Sequence, residues 1–308
     1  MGGLSPRRSN SPRPHPPTSA PRPQAAGPGP QHHNSGNVIE SPDPTATADE
    51  QRDRKNTELV VLARSTVFIT VHKGASTFIA DDLARFLVAS PYFDTFLPVG
   101  SLKLQGREIS DLSDWPARGL VGIRVYPGEF RDLLAQSGGF PEFAQNAALV
   151  FIERDPRDAA VSLFYSKAFS HTTNVLNKER FLEDRRRMQE MTPREGVMEL
   201  TARYAIAEFS KLHEFHDEHG GLLLRYEDLV TEPGAWFDSL GKYAEWPQEL
   251  TDAVTAEFSG SFVPPETADP LQHKRRITPG NWREVFDDEL EADFDAKIGA
   301  RLKASGYS

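Results

Sequence analysis

One stretch constrains the fold of this chain more than any other: Thr66 to Ala89, TVFITVHKGASTFIADDLARFLVA. Its apolar β-branched start, Val67 to Val71, predicts a buried strand, the small residues after Lys73 predict a tight loop, and the rest predicts an amphipathic helix. Such a unit directs the unpaired N–H groups of the first helical turn at an anion, and Lys73 adds a full positive charge. The stretch therefore predicts a phosphate or sulfate site. A tight turn with a purely structural role is the alternative.

The remainder of the chain alternates strands with helices. Apolar runs predict the strands, and capping patterns with proline at the first helical position predict several helix starts. Together they predict an α/β fold with a mainly parallel central sheet flanked by helices, whose ligand lies at the carboxyl ends of the strands. The predicted strands are 120–125, 148–153 and 222–225, and the predicted helices are 127–134, from Pro156, within 177–219, from Pro233, 247–258 and 284–303.

Composition divides the chain into two parts. Residues 1–56 hold eleven of the twenty-four prolines and almost no aliphatic residues, which predicts a disordered Pro/Ser/Arg-rich tail before a single domain at 57–308. The net charge of −10 falls almost wholly on that domain and argues against nucleic-acid binding. Cysteine is absent, so disulfides and thiolate metal sites are excluded. No stretch is long and apolar enough for a membrane span, and a cytoplasmic protein is predicted.

Two further groups of cations could bind an anion. Arg154 directly follows a predicted strand, so it shares the sheet edge with Lys73, and Ser162 lies eight residues further on. Alternatively, Arg154 and Arg157 are surface partners of Asp155 and Asp158. The run Lys274-Arg275-Arg276 is either a solvated charge run or a lid over a polyanion.

Taken in series, these motifs resemble the PAPS-dependent sulfotransferase family from Thr66 to Phe286. The segment from His72 to Phe78 resembles the family's 5′-phosphosulfate loop, P-K-[ST]-G-T-T-W. Arg154 and Ser162 resemble its 3′-phosphate element. Two later segments complete the resemblance: Tyr226-Glu227-Asp228, and the closing element from Arg275 to Phe286.

The resemblance implies a P-loop-like sulfotransferase fold that moves the sulfuryl group of PAPS, 3′-phosphoadenosine 5′-phosphosulfate, to a hydroxyl, or else an amine, of a small molecule or glycan. It implies that Lys73 stabilises charge on the departing phosphate. It implies no metal. The expected 5′-phosphosulfate residues are Lys73, Gly74, Ala75, Ser76, Thr77 and Phe78; those expected around the 3′-phosphate and adenine are Arg154, Ser162, Tyr226, Arg275 and Arg276.

The general base is the main departure from the family. Its usual K-[ST]-H segment corresponds here to Arg124-Val125-Tyr126, so the histidine is missing. Arg124 could serve as the neighbouring cation, whereas Tyr126 would need a strongly lowered pKa. Glu129 is another candidate, or else a first-turn carboxylate that stabilises a helix. His72 replaces the loop proline and either faces the ligand or packs as a hydrogen-bonded histidine.

Two other functions stay open. A nucleotide kinase-like P-loop enzyme is disfavoured because G-x-x-x-x-G-K-[ST] is absent. The second alternative function is a catalytically inactive module that binds PAPS or PAP but has lost its general base. The series His213, His216 and His219 is interpreted as a solvated helix face and not as a metal site. One sequence does not decide whether the protein forms a homodimer.

Overall fold

The computed structural model describes residues 61–98, 118–125, 127, 147–171, 178–262 and 277–307. Contacts divide the chain into two units, Met1–Thr57 and Glu58–Ser308, and all described residues belong to the second. The predicted tail at 1–56 therefore lies outside the described residues. So do Arg275, Arg276 and nearly all of the helix predicted at 127–134, of which only Pro127 is described, as helical.

Five parallel strands form the sheet in the order β2-β3-β1-β4-β5. Thr70, the last residue of the central strand, pairs with Val125 on one side and Ile152 on the other. The segments after these three strands therefore leave the sheet at one edge. The strands are β1 Ser65–Thr70, β2 Thr95–Pro98, β3 Leu120–Val125, β4 Ala147–Glu153 and β5 Leu222–Arg225.

Helices follow the strands, and several contain π-helical turns. Helix α1 is a π-helical turn Phe78–Leu83 continued by Ala84–Ala89. Helix α4 begins at a Thr192 capping box and runs without a break through Pro193–Gly196, Val197–Thr201 and Ala202–His219. The others are α2 Pro156–Tyr165 with a π-helical turn Ser166–Ser170, α3 Lys178–Glu190, α5 Tyr226–Thr231, α6 Pro233–Tyr243, α7 Gln248–Phe258, a 3₁₀ turn Asn281–Glu284, and α8 Asp288–Ala304.

Both faces of the sheet are covered, which explains why its strands are apolar throughout. Side chains alternate along β1: Phe68 belongs to the cluster that includes Phe237 of α6, whereas Ile69 belongs to the cluster that includes Phe215 of α4. A third cluster holds α2, α4 and α8 together through residues such as Phe209 and Phe294. The loops at the carboxyl edge of the sheet thus extend from a rigid base.

The predicted parallel α/β architecture is confirmed, as are the strands β1, β3, β4 and β5. The sequence analysis predicts no strand between Val71 and residue 120, whereas the structure has the short edge strand β2 there. The last helix begins at Asp288 rather than 284, because a 3₁₀ turn occupies Asn281–Glu284. Within the described part of the chain, no helix is long and apolar enough to cross a membrane.

Candidate anion-binding site

The loop after β1 folds back tightly on the end of its strand. Gly74 N–H donates to the Val71 carbonyl at 3.0 Å, and Thr70 Oγ1 donates to the Gly74 carbonyl at 2.5 Å. A Cβ atom at position 74 would lie 2.5 Å from Thr70 Oγ1, so any larger residue would force the threonine or the loop to move. Lys73 and Ala75 have φ angles of 66° and 65°, a conformation that costs non-glycine residues free energy. The loop is thus held in one strained shape.

Arg154 leaves β4 beside this loop and is 4% exposed. Its guanidinium donates to the Lys73 carbonyl at 2.7 Å and lies over the Tyr226 ring, 4.3 Å from the centroid. Its buried Nε has no hydrogen-bond partner among the described residues. A buried guanidinium with an unused donor is suited to an anionic ligand.

Lys73 and Arg154 form a pair of like charges in a buried setting. Burial, and secondarily the charge of Arg154, lowers the pKa of Lys73 from 10.5 to about 8. In the described part of the chain, no carboxylate forms an ion pair with either side chain. The arrangement therefore favours a ligand that brings negative charge.

The N-terminus of α2 follows Arg154 directly and is firmly held. Asp155 caps the helix by accepting from Arg157 N–H at 2.9 Å, and it also pairs with the Arg157 guanidinium at 2.8 Å. That guanidinium stacks on the ring of Trp282 at 3.9 Å. Arg157 therefore has the expected aspartate partner, but the pair is buried and not on the surface. Ser162 lies further along α2 and is partly buried.

Asp158 joins α2 to the closing segment. Its carboxylate accepts from the backbone N–H groups of Gly280 at 2.6 Å and Trp282 at 2.8 Å. Burial raises the pKa of Asp158, while Arg154 and these two hydrogen bonds oppose the rise. The segment held in this way directly follows Arg275 and Arg276. Sequence reasoning assigned Asp158 no such role.

The Tyr226-Glu227 pair begins α5, which the sequence analysis did not predict. Tyr226 lies under Arg154, and its hydroxyl donates to the Ile277 carbonyl at 3.3 Å. Glu227 accepts from Asp155 N–H at 3.0 Å and from the Tyr307 hydroxyl at 2.9 Å. These contacts connect the Tyr-Glu-Asp motif to the helix cap at Asp155 and to Tyr307, three residues after the end of α8. In the sequence, only the place of Glu227 within the Tyr-Glu-Asp motif could have indicated that it makes these connections.

The other loop residues differ in their surroundings. Ser76 and Thr77 begin the helix, with Ser76 partly buried and Thr77 exposed. Phe78 is buried, and its ring packs edge-on against Phe258 and Phe262 with centroids 5.2 and 5.0 Å apart. Phe78 therefore packs into the hydrophobic core beside the loop. His72 contacts Glu208 of α4 through both its backbone and its ring.

The candidates for a general base are only partly described. Arg124 is on β3 in register with Ile69, but its side chain lies outside what the structure describes, as do Tyr126 and Glu129.

The interpretation of the three α4 histidines as a solvated face is wrong for His213, which is buried and lies 2.8 Å from Glu153. No group of three metal-ligating side chains occurs within the described ranges.

Comparisons place these features in a family. The sulfotransferase domain model matches residues 139–306, more than half of the chain. The match contains Arg154, Ser162, Tyr226 and Trp282, and it begins after the Lys73 loop. No curated protein matches the sequence.

Several solved structures are similar at low identity. A mouse sulfotransferase complexed with PAP is 16% identical, with 79% of this chain and 86% of that chain covered and a TM-score of 0.47. Retinol dehydratase in complex with retinol and PAP is 18% identical. The match covers 79% of this chain and 82% of that chain, with a TM-score of 0.40. A sulfotransferase domain from the Synechococcus PCC 7002 olefin synthase is 14% identical. The match covers 77% of this chain and 96% of that chain, with a TM-score of 0.36. On the strength of the domain match, this chain belongs to the sulfotransferase domain family.

Proposed function

We propose that this protein is a PAPS-dependent sulfotransferase that transfers a sulfuryl group to the hydroxyl, or else the amine, of a small molecule or glycan. The observation that carries the proposal is the pair formed by partly buried Lys73 and buried Arg154, which has no carboxylate ion-pair partner in the described ranges. The two cations repel each other in a setting shielded from water, as the lowered pKa of Lys73 indicates, and a bound anion would relieve that repulsion. A donor with a 5′-phosphosulfate and a 3′-phosphate supplies that charge at two points.

The described residues fit such a donor. The loop leads into the start of α1, where the positive end of the helix dipole lies, and Lys73 lies in that loop. Arg154 offers its unused Nε donor beside the Tyr226 ring, which is suited to stack against a planar group. Ser162 and the Arg275-Arg276 pair are proposed to complete the 3′-phosphate site.

Each residue then has a defined task. Bound PAPS would supply the sulfuryl group. Lys73 would stabilise the negative charge that develops on the departing phosphate oxygen, and its lowered pKa reflects the dehydrated setting in which such stabilisation is strongest. Arg154 would hold the 3′-phosphate, and its hydrogen bond to the Lys73 carbonyl would keep the loop in place.

Parallel titrations with adenosine 3′,5′-bisphosphate and with ATP test the proposal by calorimetry. We expect tighter binding of the bisphosphate. Arg154→Gln should weaken that binding about tenfold or more, because a charge-assisted hydrogen bond is lost. Arg186→Gln, on the exposed side of α3, is the matched control and should leave it unchanged.

The same titrations separate the rival functions. Tighter binding of ATP would contradict the proposal and favour a nucleotide kinase-like enzyme. Transfer of ³⁵S from labelled PAPS to a panel of phenols, sterols and sugars then tests catalysis. Bisphosphate binding without transfer to any member of the panel would favour a non-catalytic binding module.

A further inference from the structure

We infer that His72 is the general base of this site and that Glu208 is its positioning residue. The inference rests on the proposed sulfuryl transfer and deepens it by naming the group that takes the acceptor proton. It follows from a contact between two residues that are distant in sequence, one in the loop after β1 and one in the middle of α4.

The Glu208 carboxylate binds His72 at two points. One oxygen accepts from the His72 backbone N–H at 2.8 Å, and the other contacts ring Nδ1. The Glu208 side chain is 13% exposed and that of His72 is 27% exposed, so the pair is largely but not fully shielded from water. The backbone contact fixes the start of the strained loop, and the ring contact fixes the orientation of the imidazole.

The ring contact also selects a tautomer. A carboxylate at Nδ1 holds the proton on that nitrogen, so Nε2 carries the lone pair of the neutral ring. When Nε2 takes up a proton, the same carboxylate stabilises the imidazolium that forms. A histidine paired in this way has the two properties that a general base requires: a defined proton acceptor and a stabilised product.

His72 lies beside other residues of the proposed site. His72, Glu208 and Arg154 line one narrow crevice, too small for a water molecule, whose wall includes Ala159, Leu163 and Ala205. His72 immediately precedes Lys73, so the base and the cation that stabilises the leaving phosphate belong to one loop. Among the described residues, the charged groups that share this crevice or this loop with His72 are Glu208 on α4, Arg154 just before α2, and Lys73.

The proton and electron balance of the step is simple. Nε2 of His72 takes the proton of the acceptor hydroxyl, and the O–H electron pair stays on the acceptor oxygen, which bonds to sulfur. Lys73 stabilises the electron pair left on the phosphate oxygen when its bond to sulfur breaks. The imidazolium afterwards returns its proton to water, so no metal or redox partner is required.

Four variants test the inference. His72→Asn removes the base, and Glu208→Gln keeps the size of the side chain but removes its charge and one of the two oxygens that contact His72. Glu208→Asp keeps the charge on a shorter side chain. Glu214→Gln, an exposed position on the same helix, is the matched control. The measurements are the affinity for adenosine 3′,5′-bisphosphate, kcat for ³⁵S transfer to the best acceptor of the panel, and the histidine tautomers from ¹⁵N chemical shifts, with the His72 signal identified by its absence in His72→Asn.

We expect His72→Asn to bind the bisphosphate within about threefold of the unaltered protein but to lose roughly 100-fold or more in kcat. Glu208→Gln should lower kcat and move the acid limb of its pH profile to lower pH, because the protonated ring loses its carboxylate. Glu208→Asp should restore part of the rate. In the unaltered protein the His72 signal should show the Nδ1–H tautomer, and Glu208→Gln should reduce that preference.

Other results would overturn the inference. A His72→Asn variant with unchanged kcat, or an Nε2–H tautomer in the unaltered protein, would exclude His72 as the base while leaving the proposed function intact. A Glu208→Gln variant that loses stability and rate but keeps the pH profile would assign the pair a structural role only. Failure of the unaltered protein to bind the bisphosphate would instead contradict the proposed function itself.

Discussion

The guanidinium of Arg154 donates a 2.7 Å hydrogen bond to the backbone carbonyl of Lys73. This contact links the loops that follow two neighbouring strands, β1 and β4, and it brings partly buried Lys73 and buried Arg154 to the same edge of the sheet. Since a buried ammonium next to a guanidinium is costly to keep charged, the pKa of Lys73 falls to about 8. The contact therefore couples the shape of the loop to the protonation of its lysine.

Proton uptake on ligand binding follows from this coupling. A bound anion should return the pKa of Lys73 toward its ordinary value of 10.5, so the complex holds a proton that the free protein has lost between pH 8 and 10.5. Affinity for adenosine 3′,5′-bisphosphate should therefore fall as pH rises above about 8. Calorimetry at pH 9 in buffers of different ionisation enthalpy should reveal proton uptake, since phosphate groups are already fully ionised there.

Lys73→Met is the matched control for that measurement. It should bind more weakly and take up no proton at pH 9, because the titrating group is gone. Proton uptake that persists in Lys73→Met would assign the effect to another residue, and a pH-independent affinity in the unaltered protein would contradict the lowered pKa.

Gly74→Ala tests the tight packing of the loop. The new Cβ would lie 2.5 Å from Thr70 Oγ1, which itself donates to the Gly74 carbonyl. Either the threonine hydroxyl or the loop must move, at a cost of about 1–3 kcal/mol in the free energy of unfolding. Urea unfolding measures this cost. Gly260→Ala, with no atom within 4 Å of the added Cβ, should leave stability nearly unchanged, and equal effects at both sites would contradict the steric argument.

The sequence predicts the parts of this molecule that depend on local pattern. Strand β1, the loop at Lys73 and the cap at Asp155 each follow from residues that are close together in the chain. The meeting of Lys73 with Arg154 was also predictable, because parallel strands place the segments after their carboxyl ends at one edge. The edge strand β2 was not predictable, because its four residues are too few to show the alternation of apolar and polar residues that marks a strand.

Contacts between distant segments could not be predicted. Glu208 is on an amphipathic helix among several other acidic residues, and nothing in the local pattern distinguishes it as the partner of His72. Likewise, Asp158 has the sequence context of a first-turn carboxylate, yet its oxygens bind Gly280 and Trp282. Such pairs are set by the packing of whole helices, which one sequence does not reveal.

Asp158→Asn should loosen the closing segment. Asparagine offers one acceptor oxygen in place of two and directs its amide hydrogens at a backbone N–H, so one of the bonds to Gly280 and Trp282 is lost. Amide hydrogen exchange at both positions should become about tenfold faster or more. Bisphosphate affinity should also decrease, because the proposed Arg275-Arg276 contacts lie just before this segment.

Exposed Asp238 in α6 provides the control for that experiment. Asp238→Asn should change neither exchange at Gly280 and Trp282 nor ligand affinity. Unchanged exchange in Asp158→Asn would show that the carboxylate does not hold the segment. Faster exchange with unchanged affinity would show that the segment contributes nothing to ligand binding.

Tyr307→Phe should destabilise the fold in a pH-dependent way. Burial raises the pKa of Glu227 above its ordinary value, and the Tyr307 hydrogen bond opposes that rise. Between the unfolded and the folded pKa, the folded protein holds a proton that the unfolded chain has lost, so stability falls as pH rises through this window. Without the Tyr307 hydroxyl, the pKa of Glu227 in the folded protein rises further, so stability falls by more as pH rises through this window.

The expected loss from Tyr307→Phe is about 1–3 kcal/mol in the free energy of unfolding at pH 8, and it should shrink as pH falls below the ordinary pKa of glutamate. Urea unfolding from pH 4 to pH 8 measures the trend. Tyr204→Phe, at an exposed position of α4, should show no such pH dependence. A loss of equal size at both ends of the range would mean that Tyr307 acts through packing and not through the Glu227 carboxylate, which also accepts from the N–H of the helix cap Asp155.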